Sequence, residues 1–143
     1  MINITSVKKH EYFRLIKIEE SIFEKQVLTN KLQNYFNGGP IKIWKLSTSK
    51  ILGFVIFYQV KDEIEIIQIC VIKSYQRKNY GSSIINKIKN INGIRKIFLE
   101  VSVENTKAIN FYLKNGFKKI GIRKAYYKRN KKKVDALRLL FEF

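Results

Sequence analysis

Cysteine, histidine, proline and acidic residues are all scarce in this 143-residue chain. The single cysteine, Cys70, has no second cysteine for an internal disulfide, which fits a reducing compartment. With His10 as the sole histidine, the chain holds too few Cys and His residues for a usual metal-ligand set, and no metal is expected. No apolar run reaches the roughly 18 residues that span a membrane. Met1-Ile2-Asn3-Ile4-Thr5 has neither the basic start nor the apolar centre of a signal peptide. These absences lead to the expectation of a soluble, cytoplasmic protein. No internal repeat or linker is visible, so residues 1–143 are read as a single domain, long enough to bury a core.

What is present is positive charge. Lys and Arg total 29 against 11 Asp and Glu, a formal net charge of +18 that invites a nucleic-acid reading. The lysines are spread along the chain, however, and Ile, Lys and Asn are abundant together, as a coding bias would produce. Only Lys128–Lys133 (K-R-N-K-K-K) forms a dense block, of the kind that usually is a solvated loop. Nucleic acid is therefore not expected as the primary partner. The 45% hydrophobic and 13% aromatic content excludes a disordered chain.

Periodicity gives the order of elements. Residues 2–7 alternate as a first strand, and Ser6 is a candidate cap for a helix through Tyr12, Phe13, Ile16 and Glu20. A second helix is expected over residues 24–36, ended by Asn37-Gly38-Gly39-Pro40. Three strands follow, over residues 41–46, 50–60 and 63–72. The basic turn Gln76-Arg77-Lys78-Asn79-Tyr80-Gly81 then leads into an amphipathic helix from Ser82 to Ile91. A strand feeding a cationic turn at a helix N-terminus is an anion site, because free N–H groups and the positive helix end converge there. The bland alternative is a β–α connection in which Gly81 merely permits the turn.

Residues 97–103 (I-F-L-E-V-S-V) form another strand, whose central Glu100 is out of place unless at an edge, paired or functional. Asn105 fits the N-cap of a helix to Asn115, with Gly116 just beyond its end. Residues 117–127 and 134–143 read as a closing hairpin. The order β-α-α-β-β-β-α-β-α-β-β defines a mixed α/β (α+β) domain with a central mixed sheet.

At this point the chain resembles a known family, the GNAT acyl-CoA N-acyltransferases. Their phosphate turn, Gln/Arg-x-x-Gly-x-Gly/Ala, corresponds to Gln76–Gly81, with Asn79 in place of the first glycine. Asn is the non-glycine residue that best tolerates φ > 0, so the turn is expected to survive. The second signature is Asn105-x-x-Ala108-Ile109-x-Phe111-Tyr112-x-x-x-Gly116-Phe117. Within that superfamily the chain is most similar to bacterial N-terminal alanine acetyltransferases of ribosomal proteins. The similarity lies in Leu99-Glu100-Val101, Ile122-Arg123-Lys124-Ala125-Tyr126-Tyr127 and Asp135-Ala136-Leu137. It departs from them at Val134, where they carry an acidic residue, and near Ile22–Lys25, where a Trp-containing segment of theirs is missing or short.

The resemblance implies a sheet of about seven strands flanked by about four helices, and acetyl-CoA as acetyl donor. The backbone of Arg77, Lys78, Asn79, Tyr80, Gly81 and Ser82 would hold the pyrophosphate, Ile69, Cys70 and Val71 the pantetheine arm, and Asn105 a further part of the cofactor. Glu100 matches the general base and Tyr112 the general acid of direct transfer to an amine; Glu104 is a rival for the base. Tyr126 and Tyr127 either line the acceptor groove or belong to the core. The acceptor implied is a protein N-terminal α-amine, with alanine of a ribosomal protein foremost. A lysine side chain, a small polyamine, or a binding module without catalysis remain open alternatives. Cys70 is read as buried structure and His10 as surface.

Overall fold

A computed structural model of the chain describes residues 1–23, 35, 38–129 and 132–143. Among these residues are seven strands in one sheet, ordered β1-β2-β3-β4-β5-β7-β6, and three α-helices. The strands are β1 Asn3–Ser6, β2 Ile41–Ser47, β3 Ile51–Val60, β4 Glu63–Val71, β5 Lys96–Ser102, β6 Lys118–Arg129 and β7 Lys132–Glu142. The helices are α1 Tyr12–Ile22, α2 Tyr80–Lys89 and α3 Thr106–Lys114. All neighbouring strands pair antiparallel except β4 and β5, which run parallel because α2 carries the chain back across the sheet.

Each face of the sheet has its own core. Val55 and Phe57 of β3 join Ile84, Ile85 and Ile88 of α2 on one face, all fully buried. Phe54 and Ile56 of the same strand join Leu15 of α1 on the other. A strand apolar on both sides is what a central position demands, and burying each such Ile or Phe contributes about 1.5–3 kcal/mol.

The details correct the sequence reading at several points. Ser6 does not cap α1. A short 3-10 turn at Lys9–Glu11 precedes the helix, and the Lys8 N–H donates to the Glu11 carboxylate at 2.9 Å. The turn before α2 is shorter than expected, and Gly81 lies inside the first helical turn. Lys128, Lys132 and Lys133 belong to the paired strands β6 and β7 rather than to a loop, since Lys128 is in register with Lys133. The second helix expected over 24–36 lies outside the described residues apart from Tyr35, and so do residues 130 and 131 of the basic block. Among the described residues no helix is long and apolar enough to cross a membrane.

Candidate active site

The site begins where β4 and β5 part. Their register runs from Glu63 opposite Lys96 to Ile66 opposite Leu99 and stops there, although both strands continue. The cause lies in β4. Ile56 of β3 is opposite Gln68 and Phe57 is opposite Ile66, so Ile67 is an extra residue that bulges the strand. A bulge bends its strand and sharpens the local twist, and this one sits where β4 leaves β5. Beyond it, the Ile72 N–H donates to Leu52 O of β3 at 2.8 Å. Alternation along the strand therefore turns the backbone groups of Ile69 and Val71 toward the opening.

A cleft of about 940 Å³ occupies this opening and continues over the helix ends. Ile69, Cys70 and Val71 form one wall; Arg77, Asn79, Tyr80, Gly81 and Ser82 form the floor; Glu104, Asn105 and Tyr112 come from the other side. The turn is locked by Gln76, which donates to Val71 O at 2.9 Å and accepts from Lys107 Nζ at 2.9 Å. Arg77 and Asn79 both take left-handed conformations, φ 61° and 65°. Alternating hand in this way turns successive N–H groups into one concavity. No side chain caps the N-terminus of α2, and its first backbone bond is Ser83 N–H to Asn79 O at 3.0 Å. The N–H groups of Tyr80, Gly81 and Ser82 thus have no partner within the helix.

The neighbouring helix differs. Asn105 caps α3, its side-chain oxygen accepting from Ala108 N–H at 3.2 Å, and Gly116 leaves the helix at φ 91°. Gly81 serves proximity rather than turn geometry. A Cβ there would lie 3.0 Å from the Phe111 ring of α3, so the missing side chain lets the two helix starts approach. Lys78 does not line the cleft; its ammonium lies over the Tyr75 ring at 5.5 Å.

The predicted acid–base residues stand on different sides of the sheet. Tyr112 is buried against Phe111 and Phe117 on the α2–α3 side and lines the cleft. Burial, and then the nearby Tyr127 phenol, hold its hydroxyl well above the usual range. Glu100 alternates with Leu99 and Val101, which lie in that core, so its side chain faces the α1 side. It pairs not with lysine but with Arg123 at 3.3 Å and Arg138 at 3.8 Å, both to Oε1. Its side chain is only 14% exposed, and Oε2 has no hydrogen-bond partner among the described residues.

Tyr127 joins the two positions. Its hydroxyl donates to Glu100 O at 3.3 Å. Burial first, then Tyr126 and the Glu100 charge, push it up to about 12. Tyr126 is half-exposed, edge-on to Tyr127 with the Arg123 guanidinium over its ring at 4.2 Å, and neither tyrosine belongs to the two core clusters. The hairpin holds them through a break in the β6–β7 register between Arg123 and Tyr127. There Ala125 is left-handed and its N–H donates to Asp135 Oδ1 at 2.8 Å. Glu104, the rival carboxylate, is exposed beside Asn105 at the cleft. Cys70 is buried on the α1 side, its thiol pushed up to about 12 by burial and the Glu19 charge. His10 is exposed.

Sequence reasoning missed the roles of Gln76 and Arg138. Gln76 opens the phosphate-turn motif and was legible there. Arg138 is opposite Glu100 only through strand register, which sequence spacing does not give.

A parted parallel strand pair, an uncapped helix start below it and a buried tyrosine on the next helix define an acyl-transfer fold. Residues 10–117 match the model of the acetyltransferase (GNAT) family, and the chain belongs to that family and is an N-acetyltransferase. It is 27% identical over 127 residues to the [ribosomal protein bS18]-alanine N-acetyltransferase of Haemophilus influenzae, covering 87% of this chain and 86% of that protein. Its Escherichia coli K12 counterpart is 28% identical over 117 residues, 80% of this chain and 76% of that one. The crystal structure of the E. coli ribosomal-protein-S18-alanine N-acetyltransferase superposes with a TM-score of 0.86 at 25% identity, covering 99% of this chain and 94% of that one. Arabidopsis thaliana NAA60, solved with acetyl-CoA, shares the fold at a TM-score of 0.86 and 20% identity over 100% of this chain and 99% of its own.

Proposed function

We propose that the protein transfers acetyl from acetyl-CoA to the N-terminal α-amine of a protein, with the terminal alanine of a ribosomal protein as the preferred acceptor. The parting of β4 from β5, with Glu100 on one face and Tyr112 on the other, is the observation that carries this reading. The cleft fits the donor. The N–H groups of residues 77 and 79–82 and the Arg77 charge suit a pyrophosphate. The open edge of β4 offers Ile69 and Val71 backbone groups to an extended amide arm, and the side-chain amide of Asn105 adds a donor. A Val71 N–H at the thioester carbonyl would stabilise the developing oxyanion, a kind of contact typically worth about 10²–10³ in rate.

The acceptor α-amine has an ordinary pKa of about 8, so much of it is protonated at neutral pH. Glu100 takes a proton from it through a water, the amine nitrogen attacks the thioester carbon, the acylated nitrogen gives up its second proton to solvent water, and the C–S bond breaks. Tyr112 donates its phenolic proton to the departing thiolate; a hydroxyl held above its usual range keeps that proton until then. Both groups then re-equilibrate with solvent. Direct transfer is favoured because the Cys70 thiol, pushed up to about 12 and buried, supplies no thiolate nucleophile at neutral pH. The relatives named for bS18 alanine acetylation support the choice of acceptor.

The test is thiol release from acetyl-CoA with three acceptors: a peptide with free N-terminal alanine, an N-blocked peptide with internal lysine, and spermidine. Turnover of the first at least tenfold above the others supports the reading; preference for lysine or spermidine redirects it, and silence with all three overturns it.

A further inference from the structure

Two buried oxygens near the parting of β4 and β5 have no hydrogen-bond partner among the described residues: Glu100 Oε2 and Gln68 Oε1. Buried polar groups in native proteins are almost always satisfied, so each unpaired one calls for an explanation. Together they have one. Gln68 follows the bulged Ile67, two residues beyond the last β4–β5 pair, and Glu100 is one residue beyond it. Gln68 is opposite Ile56, which packs in the α1-side core, so its side chain is on that face. Glu100 is on the same face, opposite Arg138. Gln68 is 9% exposed, and its strand partner Ile56 belongs to the apolar α1-side core.

We propose that Gln68 positions the acceptor: its Oε1 accepts a hydrogen bond from the α-amine while Glu100 Oε2 receives that group's proton through water. A protonated primary amine brings three N–H donors, enough for one on Gln68 Oε1 and one on the water that leads to Glu100 Oε2. Once deprotonated, the nitrogen keeps an N–H on Gln68, which fixes the direction of the lone pair toward the thioester. A neutral amide suits this place because a second carboxylate would repel Glu100 and favour its protonated form. The Oε1 of Glu100 is already held by Arg123 and Arg138, which leaves Oε2 as the working atom. This inference rests on the proposed acetylation of an amine; the role of Gln68 in it is new.

The experiment compares wild type, Gln68→Leu and Gln68→Glu on the N-terminal alanine peptide, with steady-state kinetics for each substrate and thermal melts. Gln68→Leu keeps the volume and removes the unpaired oxygen. The expected result is an unchanged or higher Tm, an unchanged KM for acetyl-CoA, and kcat/KM for the peptide lower by about tenfold to hundredfold, the range of one lost charge-assisted hydrogen bond. Gln68→Glu is expected to move the acid limb of the kcat/KM profile to higher pH. Gln68→Met carries the same kinetic expectation as Gln68→Leu and guards against a variant that does not fold. If wild type turns over the peptide and Gln68→Leu or Gln68→Met keeps kcat/KM within about twofold, the role of Gln68 is refuted while the function stands. Equal losses for both substrates with a lowered Tm would also refute it, as a merely structural effect. If wild type acetylates no amine, the functional reading itself fails.

Discussion

The donor side and the acceptor side of the parted strands are built differently. The donor side is mostly backbone: an open strand edge, two left-handed residues and an uncapped helix start, contributed by consecutive residues 69–82. The acceptor side we propose is made of side chains from four strands: Gln68 on β4, Glu100 on β5, Arg123 and Tyr127 on β6, and Arg138 on β7. Backbone recognises a constant group such as a pyrophosphate or an amide arm with little dependence on residue type. Side chains from separate strands can change one at a time, which is how one fold accommodates different amines.

Mutations on each side should therefore differ in kind as well as size. The largest effect is expected from Glu100→Gln, which lowers kcat by about 10²–10⁴ while KM for acetyl-CoA holds. Thiol release at saturating donor measures it, and unchanged turnover would remove Glu100 from the chemistry. Tyr112→Phe is expected to lower kcat by about 10²-fold. Because the hydroxyl is held above its usual range, the wild-type profile should show no alkaline limb from Tyr112 below about pH 10, the ordinary phenol value. Such a limb, lost in Tyr112→Phe, would contradict the burial argument.

Gly81→Val should weaken CoA binding by about tenfold or more and lower Tm, because the added atoms meet Phe111 and force α2 from α3. Calorimetric titration with CoA checks this, and normal affinity would mean the helix starts need not be close. On the face behind the cleft, Cys70 sets a pH dependence. Its thiol is raised from 9.0 to about 12 in the fold, so above pH 9 the unfolded chain loses a proton that the native state keeps. Stability from this group is complete below pH 9 and is lost toward pH 12, at about 1.4 kcal/mol per pH unit. Denaturant melts should show a shallower alkaline decline in Cys70→Ala than in wild type. The smallest effect is expected from Asn79→Gly, with CoA affinity equal or up to about threefold better, because glycine adopts the left-handed conformation freely. A clear loss would show that the Asn79 side chain itself contacts the cofactor.

Much of the donor side was legible because it is local. The basic turn, the helix stripe of Ile84, Ile85 and Ile88, the Asn105 cap and the Gly116 exit all follow from spacing within a dozen residues. Even so, Gly81 was legible as a motif position and not as a contact, since its reason for being glycine is Phe111, thirty residues on. Glu100 stood out because a carboxylate in an apolar strand is conspicuous. Its two arginine partners did not, because they come through antiparallel register with β7 and through a hairpin break pinned by Asp135. Gln68 was hidden inside a strand whose alternation a single bulged residue shifts.

The sequence by itself determined the order of strands and helices, the cationic turn with its asparagine in the left-handed place, and the candidates proposed for acid and base. Periodicity, capping and conformational tolerance are properties of short stretches, and short stretches carry them wherever they fold. Only the tertiary structure decided that β4 leaves β5 after Ile66, that Glu100 and Tyr112 stand on opposite faces of the sheet, and that Gln68 and Glu100 share one face with an unpaired oxygen each. Those facts depend on register and on a bulge, and register is set by how distant strands bury their faces against two separate cores.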